Sequence, residues 1–429
     1  MGVNGIYVNA HLQVFINGVP FHDDEGDNPL LNVISAETHN DGNHIGSYAE
    51  IIMPQTARIA YISNPDQIPT QTNPNPNVIY DQANNNYVIQ NVRTYFNTGD
   101  SIVIKAKYEG YENDPGADST GYLPIFTGFL YDFYETTPLK VKCLDYIYWF
   151  NIGIYGQKIT TIPPGNLPAP TTGEGNGVSF PSISFKNILT DLIKSVNYTI
   201  ANWNNDNGTK YDLVTLQEPI FDMDLVNISF TQMSPAAVLE WFKKEIGLNI
   251  SLMGTSIYVN IASNTLKTVI LNTQVNVIAS NLQTTNLQKT KKHKGSASVF
   301  LRIKLKCYFI KNNGTKDSFE IGDDGGQLRE CFFYNVTPGA NTNYNGQSVP
   351  SNYLTMAQNA IQKYYHDRYT GEVEMLLYPY CDLFWKVQYF DYRFPERNSD
   401  YVITMIKRSF NDNGFRTHIK LAFLDNPTV

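Results

Sequence analysis

Apolar and polar residues alternate over most of this chain, and apolar residues recur at helical spacing in three stretches. Alternation puts successive side chains on opposite faces of an extended backbone, the pattern of a strand with one buried face. Residues 12–16 form such a run. Asn17-Gly18 follows, a pair suited to the left-handed backbone of a two-residue hairpin leading into 19–21. Runs at 32–38, 47–53, 101–108, 125–134 and 139–143 continue the series. In 101–108, Ile102, Ile104 and Ala106 lie on one face and Val103, Lys105 and Lys107 on the other. One face is therefore expected in a core and one in water.

The middle third changes period. Residues 184–196 place Ile188, Leu189, Leu192, Ile193 and Val196 on one helical face, with Ser184 as N-cap. A second helix starts at Ser234-Pro235, the serine as N-cap and the proline at the first helical position. It carries Ala237, Val238, Trp241, Phe242 and Ile246, and Gly247 is placed to end it. Strands at 248–253 and 256–261 follow, joined at Gly254-Thr255. The last part returns to strands at 298–309, 329–336, 371–377, 384–389, 401–410 and 415–423. A helix over 353–369 interrupts them, with Leu354, Ala357, Ile361 and Tyr364 at core spacing. Asn411-Asp412-Asn413-Gly414 reads as the turn between the last two strands.

Two stretches lack either period. Residues 63–86 are rich in Pro, Asn, Gln and Thr and predict a long surface insertion or an extended arm. Residues 156–181 are punctuated by Pro163-Pro164-Gly165, Pro168, Pro170 and Gly173 to Gly177, and read as a linker. The expected division is a β domain over 1–155 with the insertion near 63–86, a linker over 156–182, an α/β domain over 183–285, and a second β domain over 286–429. That last domain holds an inserted segment and the helix 353–369.

Composition narrows the function classes. The chain has 429 residues, enough for several buried cores, and a formal net charge of −8, which argues against a dedicated grip on nucleic-acid phosphates. Charged residues make up only 17%, below the usual quarter, while 29 tyrosines fit a β-rich protein with large polar contact surfaces. The four cysteines, Cys143, Cys307, Cys331 and Cys381, are widely spaced and read as small buried hydrophobes, consistent with assembly in a reducing cytoplasm. The start has neither a basic nor an apolar signal-like region, and no run of about 18 apolar residues occurs, so neither a signal peptide nor a membrane span is expected.

Candidate chemistry is thin. His39 and His44 flank Asp41, and His22-Asp23-Asp24 lies upstream, but this spacing lacks a third ligand of known metal geometry, and solvated loop histidines are expected. Asp323-Asp324-Gly325-Gly326 lacks the alternating ligands and distal Glu of a calcium loop and reads as a turn. GxSxG, HExxH and GxxxxGK[ST] are all missing. No catalytic, cofactor-binding or metal residue is assigned. One basic cluster stands out: Lys289, Lys291, Lys292 and Lys294, extended by Arg302, Lys304 and Lys306. It suits contact with DNA or with an acidic neighbour; a solvated connector followed by a strand with one polar face explains it as well. The aromatic series Tyr364, Tyr365, Tyr369, Tyr378, Tyr380, Phe384, Trp385, Tyr389, Phe390, Tyr392 and Phe394 suits a core or a subunit interface, with a carbohydrate platform as the alternative.

Three blocks carry a resemblance. Gly99-Asp100-Ser101-Ile102-Val103-Ile104, Pro124-Ile125-Phe126-Thr127-Gly128-Phe129 and Pro138-Leu139-Lys140-Val141-Lys142-Cys143-Leu144-Asp145 resemble the first barrel of phage baseplate hub proteins. That family comprises the late-control D proteins and the hub part of type VI secretion spikes. Met233 to Leu239, followed by Gly247-Leu248 and Tyr258-Val259, resembles the family's middle unit. Tyr401-Val402-Ile403-Thr404 with Gly414 to Ile419 resembles its closing hairpin. The resemblance implies a mainly β fold with an α+β middle domain, two similar β-barrel domains flanking a small α/β domain. Strands 101–108 and 125–134 are indeed echoed by 384–389 and 401–410, each pair followed by one more strand, as an internal duplication would produce. It further implies a non-enzymatic homotrimer without cofactors at a virion's tail tip or baseplate. Its partners would be a tail tube protein, a spike protein and neighbouring baseplate proteins, with a tape-measure protein or DNA in the lumen. The chain carries no lysozyme-like insertion and no spike repeat. A receptor- or glycan-binding tail protein is the alternative from another class, and a peptidoglycan hydrolase accessory a third.

Overall fold

The computed structural model describes residues 9–25, 31–42, 44–54, 59–60, 78–81, 86–89, 97–109, 117–134, 136–156, 177–217, 222–246, 248, 250–259, 267–284, 303–311, 314–333, 336–366, 369–411 and 414–423. The protein is mainly β, with a minority of its residues in helices. Among the described residues thirteen strands belong to one sheet. In chain order they are β1 (Ala10–Ile16), β2 (Val19–Asp23), β3 (Ser35–Asp41), β4 (Ser47–Met53), β5 (Ser101–Tyr108), β6 (Leu123–Tyr134), β7 (Leu139–Leu144), β8 (Thr268–Asn272), β9 (Val277–Ser280), β10 (Glu372–Met375), β11 (Lys386–Phe390), β12 (Ser399–Asn411) and β13 (Gly414–Phe423). Asn17 and Gly18 have φ of 50° and 75°, as the tight β1–β2 turn requires.

The sheet consists of two six-stranded units in a row. One runs β1-β5-β6-β7-β4-β3, with β2 outside β1; the other runs β8-β11-β12-β13-β10-β9. Ranked by position within its own unit (β2 set aside), each has the spatial order 1-4-5-6-3-2. The repetition extends to register. Glu50 opposes Lys142 and Ile51 opposes Val141 in one unit; Glu372 opposes Lys420 and Val373 opposes Ile419 in the other. The fifth strand of each carries one extra residue beside that lysine, Tyr131 in β6 and Thr404 in β12. One pairing differs: β1 is antiparallel to β5, whereas β8 is parallel to β11.

Each unit encloses its own core. Leu12, Val14, Ala49, Ile51, Ile102, Ile104, Val141 and Cys143 are buried together in the first, and Val269, Leu271, Val373, Met375, Val387, Ile403 and Ile419 in the second. The apolar faces of a unit's strands meet one another rather than a second layer, so each half of the sheet curls around its own interior.

A third core is built from two separated stretches. The first holds α1 (Phe185–Asn207), α2 (Pro235–Trp241) and the strands Gly177–Ser184, Asp224–Thr231, Ile250–Met253 and Ser256–Val259. The second holds the strands Ile303–Ile310, Lys316–Gly322 and Gln327–Phe332 and the helix α3 (Ser351–His366). Ile188, Leu192, Val238 and Phe242 share a cluster with Leu305, Phe309, Phe319, Tyr353 and Ile361. Packing therefore crosses the expected 285/286 division in both directions. β8 and β9 join the C-terminal unit, while residues 303–361 join the middle core. Alternation shows that a stretch is a strand but carries no label for the sheet it enters.

The caps stand where the residues placed them. Ser184 Oγ accepts from Asn187 N at 3.1 Å and Ser234 Oγ from Ala237 N at 3.2 Å. α1 outruns the expected 184–196 because buried Ile200 prolongs its inner face; it stops at Asn207, followed by Gly208 at φ 65°. α2 continues as a π-helical turn, Phe242–Ile246, and Gly247 lies outside the described residues. α3 ends at His366, short of 369, because Tyr369 pairs with Thr284 in a two-residue strand. Of the expected linker 156–182, residues 157–176 lie outside the described residues, and from Gly177 the chain is a strand on Asp224–Thr231, where Pro181 drops out of the ladder for want of an N–H. Of the 63–86 insertion, residues 63–77 and 82–85 lie outside the described residues; Val78–Asp81 pairs with Asn86–Ile89, which also pairs with Ile59–Ala60.

His22 of β2 illustrates a buried polar group that fixes the chain's path. Its Nδ1 accepts the backbone N–H of Asn32 at 3.1 Å and of Val33 at 3.0 Å, pinning the approach to β3. Burial pushes its pKa down from 6.5 to about 4. The unfolded chain thus binds a proton between pH 6.5 and 4 that the folded chain refuses, so this residue removes stability as pH falls through that window. His22→Asn keeps an acceptor near Nδ1 without the titration. Denaturant melts at pH 7 and pH 4.5 should show the parent losing more stability than the variant, by up to roughly 3 kcal/mol; equal losses would refute this role.

Candidate assembly site

One strand joins the two units. β12 has 13 residues, twice the usual strand, and changes neighbour along one edge. Residues 399–402 pair with β11 of their own unit; Met405 to Phe410 then pair with Asp41 to Ala36 of β3 in the other. Thr404, the extra residue, sits at the changeover. A bulge bends its strand and increases local twist, which here steers β12 out of one curled unit into the next.

Side chains secure this joint. Lys407 Nζ meets Glu37 Oε1 at 2.8 Å across the ladder, and His39 lies against Tyr48 with ring centroids 5.1 Å apart. Gly42 N donates to Thr404 O at 2.7 Å. A Cβ at Gly42 would stand 3.1 Å from that oxygen and 3.2 Å from the Phe384 ring, so glycine permits the close approach. On the inner side Arg408 is buried, donates to the Cys381 carbonyl and lies 5.1 Å from the Tyr380 ring centroid. Tyr108 of β5 donates its hydroxyl to the Phe415 carbonyl of β13, a second tie between units. The middle core is fastened to the same place: Lys243 Nζ donates to the carbonyls of Gly42, His44 and Ile250 at 2.8, 3.0 and 3.2 Å.

The residues singled out in the sequence are only partly gathered here. Lys289, Lys291, Lys292, Lys294 and Arg302 lie outside the described residues. Lys304 and Lys306 stand on the strand Ile303–Ile310 of the middle core. Lys304 pairs with Glu320 at 3.1 Å and Asp324 at 3.6 Å, and Lys306 lies over the Tyr308 ring at 5.4 Å. The upstream histidines diverge: His22 is buried, contrary to the solvated loop position expected, while His39 stacks at the joint. Asp323-Asp324-Gly325-Gly326 forms the expected turn, with Asp323 accepting the Ile303 N–H. Among the described residues no three His, Cys, Asp or Glu side chains gather as metal ligands. The aromatic series divides: Tyr378 and Tyr389 enter cores, whereas Phe390, Tyr392 and Phe394 stay exposed. The role of β12 was missed by residue-level reading. The signal was there in part, since the expected strand 401–410 outlasts one neighbour, but length does not name the second.

No family model matches this chain, and no curated protein matches its sequence. Its fold is that of solved tail proteins. The tail protein from Neisseria meningitidis MC58 superimposes with a TM-score of 0.54 at 8% identity, over 96% of this chain and 96% of that one. The prophage MuSo2 43 kDa tail protein from Shewanella oneidensis does so with a TM-score of 0.50 at 11% identity, over 97% and 98%. Both likenesses run nearly end to end, so they take in both units and the middle core.

The two kinds of contact at the joint should differ sharply in worth. Arg408→Ala strips a buried charged donor from its carbonyl and should cost about 3 kcal/mol. Glu37→Gln removes only a half-exposed ion pair and should cost less than about 1 kcal/mol. Urea unfolding of the two variants checks this, and comparable losses would contradict it.

Proposed function

We propose that this protein is the structural hub of a phage or phage-like tail, a trimer whose ring joins the tail tube to the central spike. The observation that carries the reading is the repetition on one chain of a six-stranded unit with the same strand order, register and bulge. Three copies present six near-equivalent units around one axis. Such a ring can meet a sixfold tube on one side and a threefold spike on the other, and symmetric closure satisfies every subunit's contacts. The fold shared with tail proteins supports the same reading.

In this reading the protein acts by assembly, not catalysis, and needs no cofactor. Its place is the tail tip or baseplate, built in the host cytoplasm. Tube, spike and neighbouring baseplate proteins surround it. The tape-measure protein or the genome passes through the lumen, and the basic cluster Lys289, Lys291, Lys292, Lys294, Arg302, Lys304 and Lys306 serves contact with that cargo or with a neighbouring protein. Apolar and aromatic surface buried between subunits supplies the binding energy.

A receptor- or glycan-binding tail protein is the second reading. Phe390, Tyr392 and Phe394 favour it, exposed by 44%, 73% and 44%, since aromatic rings in water suit stacking on sugars.

Loss of the gene separates the two: a hub's absence should leave particles without completed tails under the electron microscope, while a receptor binder's absence should leave whole particles that fail to adsorb. Light scattering of the purified chain should report three times 48.6 kDa. A monomer at all concentrations would refute the ring.

A further inference from the structure

The joint within the chain also specifies the joint between chains. At the internal joint, the fifth strand of one unit leaves its own fourth strand at a bulge and pairs beyond it with the second strand of the other unit. The first unit has the same fifth strand. β6 follows β5 as far as Leu130, whose N–H and carbonyl both bond to residues 99–100, and then carries the extra residue Tyr131. Beyond the bulge, Asp132 to Tyr134 pair with β7 on one side and, among the described residues, with no strand on the other. Tyr131 and Tyr134 are 43% and 42% exposed.

The second unit has the same second strand. β9 and the two-residue strand Gln283–Thr284 run beside β10 and Tyr369–Thr370 on one edge, and no strand covers their other edge among the described residues. In the first unit the corresponding edge, that of β3, is covered by β12. Ile278 of β9 is 51% exposed. Among the described residues the sheet thus holds a filled socket at the internal joint, a matching plug on the first unit and an uncovered socket on the second. Long unpaired edges are rarely left open in native proteins, because they recruit strands.

We propose that the bulged end of β6 in one subunit pairs antiparallel with the β9 edge, at Gln283–Thr284, of a second copy of this chain. The inference rests on the ring reading above and deepens it by naming the contact. Register follows from the internal joint. Aligning the bulges makes Tyr134 equivalent to Lys407 and Phe133 to Ile406. Aligning the second strands through Ile51 and Val373 makes Gln283 equivalent to His39 and Thr284 to Asn40. Lys407 opposes His39 and Ile406 opposes Asn40 inside the chain, so Tyr134 opposes Gln283 and Phe133 opposes Thr284 between chains. Every unit then hands its fifth strand to the second strand of the next, in one direction around the ring. A head-to-tail contact of this kind closes into a ring when its rotation divides the circle, and otherwise gives a filament.

Cysteine cross-linking tests the register, since directly opposed cysteines on antiparallel strands fall within disulfide reach. The full-length variant Tyr134→Cys with Gln283→Cys is oxidised under conditions where light scattering finds a trimer. Lys407→Cys with His39→Cys, the same geometry inside one chain, calibrates the chemistry and should lose two free thiols with no change in mass. The expected result is a non-reducing gel band moving from 48.6 kDa to three times that mass and no further, with neither single variant moving. A trimer that does not cross-link while the internal pair does would overturn this edge assignment alone. A ladder beyond three copies would overturn ring closure. A chain that stays monomeric would overturn the ring reading and this contact with it.

Discussion

The backbone ladder between the end of β12 and β3 is the interaction on which the rest depends. It turns two closed-off cores into one continuous sheet and so fixes the angle between the units. Main-chain hydrogen bonds suit this task because they set distance and direction whatever the side chains are. The outward residues at the joint are accordingly polar: Lys407, Glu37 and His39 all face partial solvent. The ion pair among them adds little. The bulge at Thr404 decides where β12 turns away, and buried Arg408 holds the inner side by tying the strand to the Cys381 carbonyl.

The two units have diverged by what is inserted into them, while the strand order has stayed. The first accepts its insertion between the third and fourth strands, over residues 54–100; the second accepts a longer one between its second and third, over 281–371. The long insertion meets the connection between units, residues 145–267, and together they form the middle core. The helices of one stretch share a hydrophobic cluster with the strands of the other. Lys243, with three carbonyl partners, locks that body onto the β3–β4 turn. The joint is thereby gripped from the sheet and from the side.

Buried polar groups mark the places where the chain enters or leaves a unit. Asp145, just past β7, accepts from Ser47 N at 2.6 Å, Ser47 Oγ at 2.7 Å and Ile147 N at 2.8 Å, and burial nonetheless raises its pKa to about 6. A Cβ at Gly46 would meet its carboxylate at 2.6 Å, so the turn before β4 is shaped around that acid. His22 has the same function on the way into β3. Such groups cost free energy to desolvate and return it only in one geometry, which makes them markers of path rather than sources of stability.

Local elements follow from short stretches of residues. Alternation located the strands, Ser184 and Ser234-Pro235 started the helices, and Asn17-Gly18 made its turn, because these depend on a few neighbouring residues. The echo of 101–108 and 125–134 in 384–389 and 401–410 was legible for the same reason. The candidate site was legible only as an overlong run ending in a hairpin. Which strand joins which sheet was decided by tertiary structure alone: 268–280 crossed to the C-terminal unit and 303–361 to the middle core. A strand's buried face is written in its own residues, but its edge partners are chosen by main-chain groups that every residue shares.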